Sequence, residues 1–387
     1  MTSTAVAGDA AVGIRRAARL PAVLGYLVST RLALFIVAAA AVRLLPHAIV
    51  PIAPGVRALP STLRPWVYWD AGWYLSIVER GYWFDPSGPS NVAFFPLYPL
   101  LTKLVALATR NPAVAALVVA NGAAAATVVL VWRWAALELG EQVADESARW
   151  MLVYPFAFFL HAAYGESLYL LLAAGTLFAA RRGHWAAAGT LAGLAAATRP
   201  AGVLLLPALA WALCTETRAG RGRVRDWGAL ALAGAGALAY PAYLHFAFGD
   251  ALAFWQAHVV GWDVPPGGDV RRFFRELRSL ASQRFPVQGY TQLLTASRLL
   301  LPPAFLALTV RVFRRLGPAA GVYTALAVAV GTLWGLESVG RELLAAAPVF
   351  VVSGTLSVGR HAEGLRALAL AIQLVFLIAF VTGRFVG

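Results

Sequence analysis

Long apolar runs, each closed by a short polar break, recur from one end of this chain to the other. A hydrocarbon core about 30 Å thick needs roughly 20 apolar residues per helix. The pattern predicts spans near 21–45, 113–137, 148–163, 166–181, 184–199, 201–215, 227–248, 291–311, 318–335, 343–359 and 367–385, about 11 in all. The period-two alternation of a membrane barrel is absent, so the expected fold class is all-α, a polytopic transmembrane helical bundle. Residues 94–109 are apolar as well, but short and interrupted by Lys103. Counted as a crossing they would turn later arginine clusters outward, so they read as a half-inserted or juxtamembrane helix.

One integral-membrane domain over 1–387 is expected, with two large extracytoplasmic loops at 46–93 and 249–290. Within the second, residues 270–281 place Phe273, Phe274, Leu277 and Leu280 on one helical face and Arg271, Arg275 and Arg278 on the other. That amphipathic pattern predicts a helix lying among lipid headgroups. The spans between 148 and 215 are short, and their outer turns, Ala163-Tyr164-Gly165-Glu166-Ser167 and Thr198-Arg199-Pro200, are predicted to border a cavity.

Composition sharpens this picture. Hydrophobic residues make up 60% of the 387 and charged ones only 13%, about half the usual soluble share. A net charge of +14 would suit nucleic acid, but the arginines cluster at the ends of apolar runs instead of along one soluble face. Arg15, Arg16 and Arg19, Arg181-Arg182, Arg218 to Arg225, Arg311, Arg314 and Arg315, and Arg360 and Arg366 all fall inside with one threading of a multi-pass plasma-membrane protein. The same threading puts Asp70, Glu79, Asp85, Glu166, Asp250, Asp263, Asp269, Glu276, Glu337 and Glu342 outside. The amino terminus has the charge order of a signal peptide, yet its apolar run is long enough for an uncleaved first helix; cleavage within residues 38–41 is the lesser alternative. Cys214 is the only cysteine, so no intramolecular disulfide forms. Lys103 is the only lysine, and with the excess of alanine this points to GC-rich coding DNA and a bacterial source.

The chemistry concentrates where an acid stands among aromatics: Tyr68-Trp69-Asp70-Ala71-Gly72-Trp73-Tyr74, then Gly81-Tyr82, then Phe94-Phe95-Pro96-Leu97-Tyr98-Pro99. Sugar transfer from a lipid phosphate needs a base for the acceptor hydroxyl, cations for the departing phosphate, and aromatic surfaces for sugar and lipid. Asp70 is the candidate base; it is equally placed to cap a helix over 71–80. Arg199 and Arg341 are the phosphate candidates, since guanidinium gives two-pronged bonds to phosphate oxygens; interfacial snorkelling is the plainer alternative. Arg341 also has Glu337 and Glu342 beside it as partners, and Lys103 is a weaker third cation. Glu166 is placed to orient an acceptor hydroxyl or to pair with Arg199. Trp69, Tyr74, Glu79, Tyr82, Phe95 and Tyr98 complete the candidate substrate-binding set, with Trp255 and His258 on an outer helix that Asp250 caps. No Walker loop, Gly-x-Gly-x-x-Gly or His-Glu-x-x-His motif appears, so the donor must carry its own activation. Metal dependence stays open, because Asp70 and Glu79 could share a divalent ion.

These residues resemble the PIG-V family of mannosyltransferases, membrane enzymes of the GT-C superfamily. The resemblance rests on Trp69-Asp70 with Tyr74, Ile77, Glu79 and Gly81-Tyr82, and on Ala93-Phe94-Phe95-Pro96-Leu97-Tyr98-Pro99. Weaker pieces follow at Tyr154-Pro155-Phe156, Tyr164-Gly165-Glu166-Ser167, Ala197-Thr198-Arg199-Pro200 and Gly340-Arg341-Glu342-Leu343. It implies a GT-C bundle that moves mannose, with inversion, from a polyprenyl phosphate mannose to a lipid-linked or surface acceptor on the extracytoplasmic face, with Asp70 as base. Tyr164-Gly165-Glu166 stands where bacterial relatives often show Pro-Tyr-Ser-Glu, so the acceptor's identity does not carry over. Two rival classes are a flippase of lipid-linked sugar, which predicts repeated halves not seen here, and a non-catalytic assembly subunit, indifferent to loss of the acid.

Overall fold

The computed structural model describes residues 3–48, 50, 54–262, 274, 278, 290–333, 336–357 and 361–386, and over these the chain is helical throughout with no strand. Six helical stretches are long and apolar enough to cross a membrane: Leu20–Leu44, Pro112–Leu139, Pro200–Arg218, Val224–Phe248, Tyr290–Leu316 and Ala362–Val381. The pair Val339–Ala345 and Ala347–Leu356, bent by 82°, makes a seventh if read as one broken span. Of the amphipathic helix expected over 270–281 only residues 274 and 278 are described, and the rest lies outside the described residues.

The expected count of 11 spans is not reproduced, and the reason lies in the middle of the bundle. The helix Glu141–Val153 stops at Tyr154, whose backbone is extended (ψ 133°) as the residue before Pro155 requires. Only a 3-10 turn, Ala157–Leu160, follows, so the predicted span 148–163 is two pieces. Glu166–Arg181 and Pro318–Leu333, each of 16 residues, and Trp185–Ala196, of 12, are about 24, 24 and 18 Å long at 1.5 Å per residue, short of a full hydrocarbon core. Glu166–Arg181 is buried along most of its length, while Trp185–Ala196 and Pro318–Leu333 bury one face against the bundle. Trp185–Ala196 crosses the helix Gly228–Phe248 so closely that a Cβ on Gly236 would stand 2.3 Å from the Gly193 Cα, the small-residue contact by which helices associate in membranes. The stretch around Lys103 is the 13-residue helix Leu97–Thr109, about 20 Å long.

The first loop is built, not loose. Asn91 is fully buried; its Oδ1 accepts from the Trp83 N–H at 2.8 Å and its Nδ2 donates to the Gly81 carbonyl at 3.0 Å. Gly81, at φ 80°, turns the chain off the end of helix Ala71–Arg80 in a conformation that side chains resist. The loop is thereby folded back onto the bundle, and its acid is delivered to a fixed place.

Candidate active site

Asp70 is positioned by two attachments upstream. The Trp66 carbonyl accepts from the Ala163 N–H at 2.8 Å, and the Tyr164 hydroxyl donates to the Tyr68 carbonyl at 2.9 Å. The acid-aromatic segment is therefore docked on Ala163-Tyr164-Gly165-Glu166, the turn expected from sequence to border a cavity. Trp69 then takes φ 58°, a left-handed conformation costing a bulky residue of order 1 kcal/mol or more. Asp70 stands at the N-cap of helix Ala71–Arg80 but makes no side-chain cap bond. Its Oδ2 instead accepts from Arg341 Nη1 at 2.6 Å.

That pair begins a chain of five charges. Arg341 Nε lies 3.6 Å from Glu166 Oε1, Arg199 Nη1 lies 2.7 Å from the same oxygen, and Arg199 Nη2 meets Glu342 Oε1 at 2.6 Å. Three carboxylates face two guanidiniums, leaving one formal negative charge in excess. Glu166, only 6% exposed, is the hub, and its second oxygen is buried without a hydrogen-bond partner. An ionised group so placed is costly unless opposite charge surrounds it, which the two arginines provide.

Each arginine is fixed by local sequence. Arg199 precedes Pro200 and is held extended (φ −151°, ψ 150°) at a break between helices. Arg341 follows Gly340, whose carbonyl accepts from the Tyr154 hydroxyl at 2.8 Å. A Cβ on Gly340 would stand 2.2 Å from the Phe156 ring, so only glycine permits this packing. The guanidinium also lies over the Phe159 and Tyr164 rings, 5.5 and 5.7 Å from their centroids, a favourable seat for a cation.

The five charged side chains line one cavity of about 240 Å³ with Tyr74, Phe94, Phe95, His258, Trp262 and Phe385 on its walls. Phe94 stacks on Trp73 at 6.0 Å, and Trp262 meets both edge-on, giving an apolar flank of the kind that sugar rings and isoprenyl chains pack against. Burial, reinforced by the Glu166 charge, pushes the Tyr74 hydroxyl above the ordinary phenol range, so it stays a donor. Burial pulls His258 below the ordinary imidazole range, against its bond to the Phe254 carbonyl. That carbonyl, 2.8 Å from Nδ1, can only accept, which puts the proton on Nδ1 and leaves Nε2 an acceptor.

Of the residues singled out by sequence, Asp70, Tyr74, Phe95, Glu166, Arg199, His258 and Arg341 come together here. The others do not line the cavity. Trp69 is half-buried, edge-on to Phe385; the Tyr82 hydroxyl donates to the Phe94 carbonyl and the buried Tyr98 to Ala116; Trp255 stands elsewhere on helix Ala253–Trp262. Glu79 and Lys103 are exposed. Glu79 lies nine positions beyond Asp70 at the far end of helix Ala71–Arg80, about 13 Å on, so the two do not share an ion. Among the described residues no three His, Cys, Asp or Glu side chains converge as a metal site. Arg341 is paired with Asp70 and Glu166, not with its sequence neighbours. Sequence reasoning passed over Glu342, Phe94, Trp262 and Phe385 as binding residues. Phe94 stood within the quoted Phe94-Phe95-Pro96 stretch, and Glu342 was noted only as an acid adjoining Arg341.

Fold and site together define an all-helical protein with six helices able to cross a membrane among the described residues and a charged, aromatic-flanked cavity. Among solved structures the chain is similar to ArnT from Cupriavidus metallidurans bound to undecaprenyl phosphate, with a TM-score of 0.52 and 13% identity over 90% of this chain and 63% of that one. It is also similar to the Archaeoglobus fulgidus oligosaccharyltransferase in complex with Zn and sulfate, at a TM-score of 0.45 and 18% identity over 84% of this chain and 49% of that one. The chain thus spans less than two thirds of the length of either. Residues 55–218 match the family model for mannosyltransferase (PIG-V), a stretch that holds Asp70, Glu166 and Arg199 and stops short of Arg341. No curated protein matches the chain.

Proposed function

We propose that the protein transfers a mannosyl or related hexosyl unit, with inversion, from a polyprenyl-phosphate sugar to a hydroxyl of a lipid-linked or cell-surface acceptor, at the extracytoplasmic face of the plasma membrane. The observation that carries this reading is the Asp70–Arg341 pair on the wall of an aromatic-flanked cavity. The family match over Asp70 supports the sugar, and the undecaprenyl phosphate bound to ArnT supports the carrier.

In this reading Asp70 takes the proton from the acceptor hydroxyl as its oxygen attacks the anomeric carbon. The bond from that carbon to the phosphate oxygen breaks, its electron pair passing to the phosphate, which leaves on the lipid. Arg341 and Arg199 hold the charge that develops there. Before substrate arrives, Arg341 engages Asp70 and Arg199 engages Glu342. A donor phosphate competes for both guanidiniums and, by drawing Arg341 away, frees Asp70 for the acceptor. The base is therefore released only when a donor is in place, which limits loss of sugar to water.

Purified protein incubated with radiolabelled polyprenyl phosphate mannose and a total lipid extract tests the proposal. Labelled mannose on a new lipid, with release of unlabelled polyprenyl phosphate, is expected. Movement of intact labelled donor across a vesicle membrane without a new product would replace the transferase reading by a carrier.

A further inference from the structure

We propose that the end of the bundle remote from Asp70 holds a binding site for the headgroup phosphate of an anionic phospholipid. The helix Tyr290–Leu316 links the two ends. Near its start Arg298 donates to the Glu337 carbonyl at 3.0 Å, on the rim of the acidic cavity. Arg311, Arg314 and Arg315 lie 13 to 17 positions further on, about 20 to 25 Å along the axis.

There the three arginines line a second and larger cavity, of about 720 Å³, against Gln142, Thr355 and Ser357. Positions i, i+3 and i+4 share one helical face, so three like charges converge, an arrangement that is unfavourable unless something offsets it. The helix C-terminus offsets part of it. The acid on this wall does not: Glu146 already accepts from Arg149 at 3.0 Å, from the Ser357 hydroxyl at 2.7 Å, and from Arg366. None of the three arginines makes a side-chain hydrogen bond or ion pair among the described residues.

The walls are set by packing and do not yield easily. A Cβ on Gly354 would stand 2.0 Å from the Val143 carbonyl, and the Gly354 N–H donates to Ser147 Oγ at 3.1 Å. All three arginines are exposed, yet they share the lining of one concavity, whose low-dielectric walls focus their field. The Thr355 and Ser357 hydroxyls give their protons to the Val352 carbonyl and to Glu146, so the donors left for phosphate oxygens are the three guanidiniums and the Gln142 amide. A lipid is favoured over a soluble anion because Leu306, Val310 and Phe313 of the same helix are exposed next to the site, giving acyl chains an apolar surface in line with a headgroup held at a helix end.

The test follows retained lipid, not sugar transfer, so it succeeds or fails independently of the proposed reaction. Wild type, R311Q/R314Q/R315Q and a control, R218Q/R223Q, whose arginines do not line this cavity, are placed in nanodiscs of phosphatidylcholine alone or mixed with phosphatidylglycerol. Native mass spectrometry should find phosphatidylglycerol retained by wild type and control, and weakened roughly tenfold or more in the triple variant. Wild type should melt higher in the mixed discs than in phosphatidylcholine, and the triple variant equally in both. Equal loss in the control, an unchanged melting difference in the triple variant, or displacement of the lipid by millimolar inorganic phosphate would each overturn the assignment.

Discussion

Arg341 reaches Asp70 across 271 positions of sequence and holds its Oδ2 at 2.6 Å, so the candidate base and a candidate phosphate ligand occupy each other in the resting protein. A carboxylate at an N-cap would ordinarily bond the helix N–H groups; this one does not. The pairing has consequences that separate a working site from a structural ion pair.

Replacing Arg341 by lysine keeps the charge and loses the planar fork. Losing one charge-assisted bond to phosphate costs about 1.5–3 kcal/mol, so the donor KM of R341K should rise roughly ten- to a hundredfold. Initial rates against donor concentration, at saturating acceptor, give the figure.

Glu166 is the buried hub. E166A removes the oxygen that Arg199 and Arg341 share in a setting with 6% exposure; Asp70 and Glu342 still balance the two guanidiniums, so the loss is that of buried hydrogen bonding, about 1–3 kcal/mol. The variant should melt markedly lower than E166Q, which keeps the shape and accepts a hydrogen bond; differential scanning fluorimetry in detergent compares the two.

At Gly340 a methyl group would meet the Phe156 ring at 2.2 Å, and overpacking of this kind costs about 1–3 kcal/mol. G340A should therefore be less stable and also raise the donor KM, because the shift moves Arg341. A loss of stability with an unchanged KM would show that Arg341 does not touch the donor.

His258 supplies a pH test. Its folded pKa lies below the ordinary value, so the unfolded chain binds this proton first as pH falls below about 6.5. Stability from the neutral imidazole is present above that pH and is lost as pH drops through the depressed value. Unfolding of wild type should steepen on acidification below about 6.5, and H258Q should flatten that part of the profile.

The long crossings were legible from sequence because lipid demands continuous apolar length: 21–45, 113–137, 227–248 and 367–385 recur as helices with small changes at their ends. The short central helices misled, since an apolar run buried in protein has the same composition as one facing lipid; Pro155 was the signal that residues 148–163 could not be one helix. In the site, Asp70, Glu166 and Arg199 were legible as charges at the ends of apolar runs. Glu342 was not, because adjacency to Arg341 suggested mutual neutralisation, while the turn between Val339 and Leu343 sends the two side chains to different partners. Tyr82 and Tyr98 look like sugar platforms by residue type, yet their hydroxyls hold the backbone of the loop that carries Phe94 and of the helix Pro112–Leu139.

The central claim is that the Asp70 carboxylate removes the acceptor's proton. Turnover of purified D70N with labelled polyprenyl phosphate mannose and acceptor lipid, alongside donor binding by the same preparation, tests it most directly. The account predicts donor binding within a few-fold of wild type and transfer reduced by roughly a hundredfold or more; near-normal turnover by D70N would contradict it.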